Sequence, residues 1–508
     1  MSLPRTSGIL LHPTSLPGPH GIGDLGPEAF RFADFLAATG QGLWQVLPLG
    51  PTGYGNSPYM AFSGFAGNPL LISLEKLAED GLLDPTEITP LPVQSPTAVD
   101  YGSVIRYKMP RLRLSFERFR QSQRRRELAA FQEFLDRNVS WLPDYCLFMA
   151  LKEAHGGRPW PEWEEGLARR DPAELARAQN QLAEPMRFYA YLQFVFFRQW
   201  ESLKAYCHGK GLRLIGDLPI YVAHDSVEIW ANQDQFQLDP WGYPVVVGGV
   251  PRDYYSPVGQ RWGNPVYRWD RMAETGYQWW IDRVRSGLSL TDMLRLDHFR
   301  GFEAYWEIPA CEPLATRGRW VKGPGAALFE AIRSALGDVL LIAEDLGVIT
   351  PEVDALRDRF GFPGMRILQR AFSTSPKSSD YRPHNHIYHC VVYTATHDHN
   401  TTVGWFTCHP DTHPSMTREQ VLQERAFVLK YIGTDGREIH WDFIRMALAS
   451  VARMAIFPLQ DLMGLGAEAR MNMPGTLQGN WEWRFTREML TPQMMARLAD
   501  LTALYERG

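Results

Sequence analysis

Eight short apolar segments, separated by helical patterns, constrain the fold of this chain more than any other feature of its sequence. The segments are Gly8–His12, Leu43–Pro48, Leu212–Asp217, Ser289–Asp297, Val339–Glu344, Gly364–Gln369, Cys390–Thr396 and Met454–Gln460. Each has the length of a strand and ends in polar or small residues. Helical patterns between them lie at Pro27–Thr39, Met272–Ser286, Ala326–Leu336, Pro351–Phe360 and Trp441–Val451. Strands that alternate with helices in this way predict a parallel sheet.

Eight strand-and-helix units in 508 residues predict an α/β fold, a (β/α)8 barrel in which the strands close into a ring inside a layer of helices. An open, doubly wound sheet is the structural alternative. It is disfavoured because no glycine-rich phosphate-binding turn follows the first strand.

Two long gaps interrupt the barrel pattern. The first has strong helical character at 106–138, 142–155 and 171–208, whereas the second, 219–271, is irregular and rich in Pro and Gly. Because insertions after barrel strands enlarge the face that carries active sites, we expect a helical and a loop-built subdomain over the C-terminal end of the barrel. The predicted divisions are 1–55 (barrel), 56–190 (helical insert), 191–218 (barrel), 219–271 (loop-rich insert) and 272–508 (barrel), with a last helix at Thr491–Arg507.

Four predicted strands end with a carboxylate. The four residues are Asp217, Asp297, Glu344 and Asp398. A single acidic residue at such a place often caps the next helix, but barrel enzymes take catalytic groups from the C-terminal ends of several strands. Paired carboxylates are typical of glycoside chemistry, in which one attacks the sugar and the other protonates the leaving oxygen.

Side-chain alternation predicts the environment of two of these carboxylates. Arg295 and Asp297 share one face of their strand, and the other face holds Leu294 and Leu296. We expect the leucines to meet the outer helices and the guanidinium to lie beside Asp297, lowering its pKa and keeping it ionised as a nucleophile. Apolar residues before Glu344 predict a poorly solvated carboxyl with a raised pKa, which suits a general acid near neutral pH.

Charge and composition disfavour several other classes of protein. The net charge is −5, and Lys and Arg are scattered, which does not indicate a nucleic-acid or acidic-membrane partner. No stretch approaches about 18 uninterrupted apolar residues, so no membrane span is expected. The N-terminus also lacks the pattern of a signal peptide. The 5 cysteines are widely spaced without a C-x-x-C pair, which disfavours a disulfide framework or a thiolate zinc site and favours a cytoplasmic location.

Longer motifs carry a resemblance to a known family. They include Arg295-Leu-Asp-His-Phe-Arg-Gly301, Ala343-Glu-Asp-Leu-Gly347 and Tyr393-Thr-Ala-Thr-His-Asp398. Others are His12–Gly18, Gln45–Gly55, Ser57–Tyr59, Asp217–Ala223, Gly249–Pro251, Gly259–Pro265, Met471–Gly475 and Gly479–Trp481. From about residue 4 to residue 485 the chain resembles the amylomaltases, the 4-α-glucanotransferases of glycoside hydrolase family 77.

The resemblance implies a role for individual residues. Asp297 matches the family's nucleophile, Glu344 its general acid/base and Asp398 the third carboxylate, which favours a distorted, oxocarbenium-like sugar. The residues that would hold the sugar beside the scissile bond are Asp217, Arg295, His298 and His397. The residues that match the glucan groove are Ser57, Tyr59, Gln260, Trp262 and Asn472. Tyr254 and Tyr255 match a loop over the groove, and Tyr54 matches a remote glucan-holding surface.

The activity implied by this resemblance is retaining transfer of α-1,4-glucan segments between maltooligosaccharides or to glucose, without a metal, nucleotide or organic cofactor. The expected partners are α-1,4-glucans, maltooligosaccharides and glucose, without nucleic acid or membrane, and the expected state is a monomer or weak homo-oligomer. An α-glucan hydrolase with the same site is an alternative, because no residue type certifies that the groove excludes water. A non-catalytic glucan-binding scaffold gives no reason to keep three carboxylates.

Three places depart from the family's pattern. The third motif contains Ala395, His399 and Asn400, and His399 can add a pH-sensitive charge. Arg370 follows Gln369 where the family tends to carry an aromatic residue, so we expect a stacking surface to be lost if this side chain lines the groove. His224 stands where an acidic residue is expected.

The histidines permit a different class of enzyme. His397, Asp398 and His399, together with His298 and Asp297, offer the imidazole and carboxylate ligands of a metal-dependent barrel hydrolase. The family resemblance disfavours this alternative.

Overall fold

A computed structural model describes residues 5–92, 95–122, 124–252, 258–412 and 416–508. The strands of these residues are β1 (Thr6–Leu10), β2 (Leu43–Gln45), β3 (Arg213–Leu218), β4 (Val246–Val250), β5 (Gln260–Pro265), β6 (Met293–Leu296), β7 (Ala304–Pro309), β8 (Arg319–Lys322), β9 (Leu341–Ala343), β10 (Gly364–Ile367), β11 (Cys390–Tyr393) and β12 (Met454–Pro458). Eight of them form a closed parallel barrel in the order β1, β2, β3, β6, β9, β10, β11 and β12. The predicted (β/α)8 barrel is therefore confirmed, and each predicted apolar segment overlaps one barrel strand.

Helices surround the barrel and fill the long insert after β2. The α-helices of the described residues are α1 (Pro27–Ala38), α2 (Leu74–Glu79), α3 (Tyr101–Gln121), α4 (Arg125–Arg137), α5 (Leu142–Ala154), α6 (Glu165–Ala168), α7 (Pro172–Gln181), α8 (Ala183–Gly209), α9 (Val227–Ala231), α10 (Trp269–Glu274), α11 (Gln278–Leu290), α12 (Arg300–Glu303), α13 (Ala326–Leu336), α14 (Pro351–Arg359), α15 (Thr402–Thr407), α16 (Arg418–Ile432), α17 (Ile439–Ala449), α18 (Leu459–Leu462) and α19 (Pro492–Leu504). None of them is both long and apolar enough to span a bilayer, within the ranges that the structure describes.

The longest helix joins the insert to the barrel. α8 has 27 residues, and a helix of that length extends about 40 Å. It packs against α3, α4 and α5 of the insert and also against α1, α11 and β3 of the barrel. One continuous helix thus packs on both parts, whose buried apolar residues form a single cluster.

A small antiparallel sheet, which the sequence patterns do not predict, lies outside the barrel. Its strand order is β5, β4, β7 and β8. β4 and β5 belong to the segment treated above as loop-built, whereas β7 and β8 follow barrel strand β6. The 219–271 segment therefore contains regular structure and shares a sheet with 304–322, because β4 pairs with β7 from Val246 opposite Pro309 to Gly249 opposite Trp306. The proposed domain boundaries stay a prediction.

The barrel closes where the two ends of the chain meet. β1 pairs with β12 from Thr6 opposite Met454 to Leu10 opposite Pro458. Below this seam the buried Arg507 guanidinium donates hydrogen bonds to carbonyl oxygens that include those of Thr6 at 3.2 Å and Ser450 at 2.8 Å. These hydrogen bonds from Arg507 satisfy backbone oxygens that would otherwise be buried without a donor.

Candidate active site

The four carboxylates predicted from the sequence lie along one arc at the C-terminal end of the barrel. Asp217 is near the end of β3, Asp297 follows β6, Glu344 follows β9, and Asp398 lies beyond the end of β11. β3, β6 and β9 are neighbours in the barrel, and only β10 separates β9 from β11. The backbone continues this register past the strands, since the amide of Asp297 bonds to the Leu218 carbonyl and that of Glu344 to the Leu296 carbonyl.

Arg295 joins the first two carboxylates. It pairs across the strands with Asp217, and its Nη1 donates to both Asp217 carboxylate oxygens at 2.8 and 2.7 Å. The same nitrogen lies 3.0 Å from Oδ1 of Asp297. Leu294 faces outward against Gly287 of α11, as the alternation predicts. The inward orientation of Arg295 and Asp297 is therefore confirmed.

Arg295 lowers the pKa of Asp297 as predicted, but the predicted net shift of that pKa is wrong. Burial raises the pKa of Asp297 to about 6, and although Arg295 opposes this, Asp217 raises the pKa further. Arg295 does not cancel the effect of burial, because it makes its two short hydrogen bonds to Asp217, whose side chain is fully buried. Asp297 keeps 26% of its side chain exposed and receives only a share of the guanidinium charge.

Glu344 occupies the more apolar setting that the sequence predicts. Burial raises its pKa from 4.5 to about 8, and the neighbouring Asp297 charge adds to the shift while Arg295 opposes it. Its two oxygens accept backbone hydrogen bonds from the amides of His298 at 2.7 Å and Leu346 at 3.1 Å. These bonds fix both oxygens, and the raised pKa keeps a proton on the group near neutral pH.

His298 reaches Glu344 by adopting an unusual backbone conformation. Its φ is +51°, a region that non-glycine residues rarely occupy. The imidazole is buried, its Nε2 has no hydrogen-bond partner in the described residues, and its ring meets Trp262 edge-on at 4.8 Å. Burial lowers its pKa to about 3, so the ring is neutral. Backbone strain and an unpartnered buried nitrogen are both features of functional sites.

Asp398 has the opposite electrostatic setting. His397 Nε2 lies 3.3 Å from its Oδ2, and Asn472 Nδ2 donates to its Oδ1 at 2.6 Å. Although burial works against the charge, these two partners hold the pKa of Asp398 well below its usual range. Burial likewise works against the charged form of His397, but Asp398 raises the pKa of its imidazole above the usual value.

Aromatic rings line the space beside these carboxylates. The Tyr59 ring stacks on His397 at 5.1 Å, and its hydroxyl donates to Asp217 at 2.8 Å. Trp481, which the sequence analysis does not assign to the site, is tilted against Tyr59 at 5.7 Å and against His397 at 5.9 Å. Trp262 donates from Nε1 to the side-chain oxygen of Gln260 at 3.0 Å. The only sequence signal for Trp481 was its place in a motif, Gly479-Asn-Trp481.

The remaining predicted residues differ in their placement. Ser57 supports the site indirectly, because its hydroxyl accepts from the Tyr59 amide at 3.2 Å and starts the short turn that carries Tyr59. Tyr54 lies in another turn with 68% of its surface exposed, and no ring contact links it to the buried cluster in the part of the chain that the structure describes. Tyr254, with Tyr255, falls outside the described residues.

The unusual residues at 370 and 399 contact each other. Arg370 Nε donates to His399 Nε2 at 3.2 Å, so His399 carries its proton on Nδ1, which lies 2.8 Å from the Thr396 hydroxyl. Burial and the nearby guanidinium hold the pKa of His399 well below its usual range. His399 therefore adds no charge near neutral pH, contrary to expectation.

These contacts also bear on the metal-hydrolase alternative. Both His399 nitrogens are engaged, one of them with a cation, so this ring is not available as a ligand. Within the described ranges, no group of three or more His, Cys, Asp or Glu side chains is arranged to hold a metal ion.

Asp461 holds the backbone on both sides of Asp398, and the sequence patterns do not predict this role. It lies on α18, just after β12, and it is fully buried. Its Oδ2 accepts from the Thr394 hydroxyl at 2.6 Å and the Thr402 hydroxyl at 2.8 Å, and its Oδ1 accepts from the Thr402 amide at 2.6 Å. One carboxylate thus binds both ends of the segment that carries Asp398. The available signal was an acidic residue one position beyond the eighth apolar segment.

Comparisons with known proteins identify a family and several relatives of this chain. The model of the glycoside hydrolase 77 family, described as 4-alpha-glucanotransferase, matches residues 11–491. The chain is 49% identical to the 4-alpha-glucanotransferase of Thermus thermophilus over 100% of both chains. It is 48% identical to the 4-alpha-glucanotransferase of Synechocystis sp. over 99% of this chain and 98% of the relative.

A solved structure is also similar over its whole length. The amylomaltase from Streptococcus agalactiae, determined in complex with acarbose, superposes with a TM-score of 0.93 at 38% identity, covering 99% of this chain and 100% of that one. The amylomaltase from Corynebacterium glutamicum has the same fold, with a TM-score of 0.78 at 20% identity over 98% of this chain and 75% of that one. Together with the family model, these relatives place the chain in the 4-α-glucanotransferase family, family 77 of the glycoside hydrolases.

Proposed function

We propose that this protein is a 4-α-glucanotransferase that moves α-1,4-glucan segments between maltooligosaccharides, or from them to glucose, by a retaining double displacement. The observation that carries the proposal is the difference between two neighbouring carboxyl groups. Burial raises the pKa of Glu344 to about 8 and that of Asp297 only to about 6. Near pH 7 one group holds a proton and the other is mostly ionised, which is the pairing that such chemistry needs.

In the first step the Asp297 carboxylate attacks the anomeric carbon of the donor glucan. The bond from that carbon to the glycosidic oxygen breaks, and Glu344 gives its proton to the departing oligosaccharide. Asp297 then holds the remaining segment as an ester. Arg295 limits the cost of the change in charge, because its Nη1 lies between the Asp217 and Asp297 carboxylates.

In the second step an acceptor sugar takes the segment. Glu344, now ionised, removes the proton of the acceptor 4-hydroxyl, and the oxygen attacks the anomeric carbon while Asp297 leaves. Two inversions retain the α configuration. We assign Asp398 and His397 to the hydroxyls of the bound sugar, because His397 Nε2 lies 3.3 Å from Asp398 Oδ2 and Asn472 fixes the carboxylate.

Aromatic groups beside the carboxylates support a glucan as the ligand. The rings of Tyr59, Trp262 and Trp481 offer apolar faces next to hydrogen-bonding groups, a combination that suits sugar rings. The acarbose complex of the Streptococcus agalactiae amylomaltase supports an α-glucan ligand for this site as well.

Maltotriose as the sole substrate tests the proposal. We expect a ladder of longer maltooligosaccharides together with released glucose, undiminished by a chelator, and initial products in the α configuration by proton NMR. Glucose and maltose without longer products indicate the hydrolase alternative. Complete lack of reaction by the folded protein, or activity that a chelator abolishes, contradicts the proposed chemistry.

A cytoplasmic location belongs to the same proposal. All five cysteines are free thiols, and three of them, Cys146, Cys207 and Cys390, are buried. Unpaired thiols are typical of a reducing compartment.

A further inference from the structure

A tight turn in the 219–271 segment displays two aromatic rings to solvent. Trp241 is 69% exposed, more than any other tryptophan of the described residues, and Tyr243 is 45% exposed. The turn precedes β4, and an isolated bridge between Leu238 and Pro244 closes its base. Large aromatic residues are usually buried, so their presence on this turn requires an explanation.

Hydrogen bonds hold the turn in one conformation. Asp239 Oδ1 accepts from the amides of both Trp241 and Tyr243 at 2.9 Å, and the Asp239 amide donates to the Tyr243 carbonyl at 2.8 Å. Both rings therefore project from backbone atoms that are fixed around one carboxylate. A fixed aromatic pair loses little conformational entropy when a ligand binds.

The turn is also anchored to the body of the protein. Gly242 has a φ of +89°, and a Cβ there would lie 2.3 Å from the buried Trp160 ring, so this position approaches Trp160 as closely as glycine allows. His224 Nε2 donates to the Gly242 carbonyl at 2.7 Å, and its ring lies 6.0 Å from Tyr243. The histidine that departs from the family pattern thus helps to hold the exposed pair.

The turn connects directly to the glucan groove of the proposed function. β4 runs from Val246 to Val250, where Val250 pairs with Gln260, the partner of Trp262. The eight residues from Tyr243 to Val250 span roughly 23 Å if they are extended, since they are separated by seven rises of about 3.3 Å. A long glucan can reach from one place to the other, whereas maltotriose is too short.

We infer that the turn from Asp239 to Tyr243 is a second binding surface for long α-1,4-glucans, on which the Trp241 and Tyr243 rings stack against glucose units. The inference rests on the proposed function for the choice of ligand. Rigid aromatic faces beside the Asp239 carboxylate and the His224 ring provide both apolar contact and hydrogen bonding, and a sugar chain has both kinds of surface. Its role is to raise the local concentration of polymer near the groove, as linked binding sites do.

Affinity electrophoresis in gels that contain soluble amylose tests this surface. We expect Trp241→Ala with Tyr243→Ala to weaken retardation about fivefold to tenfold, in line with the contribution of aromatic contacts. KM for amylose should rise severalfold, while kcat and KM for maltotriose stay unchanged. Tyr388→Ala is the matched control, because Tyr388 is also exposed, at 56%. It lies just before β11, at the N-terminal end of the barrel, whereas the carboxylates lie at the C-terminal end.

Three outcomes overturn the inference: unchanged retardation of the double variant, an equal loss in the Tyr388→Ala control, or a concentration-dependent dimer that the double variant abolishes. The last outcome assigns the rings to an interface between copies of the chain. Failure of the proposed function is a separate result, because the wild-type protein would then form no ladder from maltotriose, whatever its retardation by amylose.

Discussion

Replacing Asp461 with alanine removes the acceptor of three hydrogen bonds that join Thr394 to Thr402, the two ends of the segment carrying Asp398. The buried Thr402 amide is then left without a partner, at a cost of about 1–3 kcal/mol, and each lost hydroxyl bond contributes about 1 kcal/mol. Removing a buried carboxylate offsets part of this loss. We expect the free energy of unfolding to fall by about 2–4 kcal/mol.

The same change should reduce catalysis more than binding. Asp398 depends on a fixed backbone to meet His397 and Asn472, whereas Tyr59 and Trp262 are held elsewhere. We expect kcat for maltotriose disproportionation to fall at least tenfold with a smaller change in KM, since a small displacement of a catalytic group has a large effect on rate. Urea denaturation and initial-rate measurements on the same preparation check both expectations.

Asp461→Asn is the matched control. Its amide oxygen can accept from the Thr402 amide, and its NH2 group can donate to the hydroxyl oxygens of Thr394 and Thr402. The asparagine variant should therefore lose less than half of the unfolding free energy that the alanine variant loses, and it should keep most of kcat. Wild-type stability and kcat in the alanine variant, or equal losses in both variants, would refute the reasoning.

The remaining predictions concern the carboxylates and their neighbours. The rate of transfer should follow a bell-shaped pH profile, falling below about pH 6 as Asp297 takes up a proton and above about pH 8 as Glu344 loses one; a flat profile from pH 5 to 10 contradicts this. Asp297→Asn should reduce kcat by orders of magnitude without changing the circular dichroism spectrum, and near-normal turnover excludes it as the nucleophile. Arg370 lowers the pKa of Glu344, so Arg370→Gln should move the loss of activity at alkaline pH to higher pH, while Arg370→Lys should leave it in place. The same alkaline pH dependence in the wild type and both variants would contradict the effect of Arg370 on Glu344. Tyr59→Phe loses the 2.8 Å bond to Asp217 but keeps the ring, so kcat/KM should fall about tenfold, less than in Tyr59→Ala, and equal losses would show that the hydroxyl carries the whole effect.

The barrel was predictable from the sequence because its signals are local. Apolar segments bounded by polar residues locate all eight barrel strands, and the pattern at Ala326–Leu336 matches α13 residue for residue. The alternation along β6 likewise predicts which side of the strand carries Arg295. Such features depend on neighbours a few positions away, which the sequence displays directly.

Other features depend on contacts between distant segments. The pKa of Asp297 was predicted in the wrong direction because burial and the charge of Asp217, which lies on another strand, outweigh the effect of Arg295. The small sheet was missed because β4 finds its partner β7 more than fifty residues later in the sequence. Asp461 was missed for a similar reason, since its partners lie just after β11 and on α15 rather than on its own helix.

The seam between β1 and β12 also has a consequence for biosynthesis. Thr6 pairs with Met454, so one edge of the first strand has no partner until roughly 450 residues have followed it. At a synthesis rate of about 5–20 residues per second, this wait lasts on the order of 20–90 s. An unpaired strand edge can bind other chains, so the nascent protein passes through its most aggregation-prone interval before β12 emerges. Substitutions that delay closure of the seam should therefore lower the yield of soluble protein in the cell more than they lower the stability of the finished barrel.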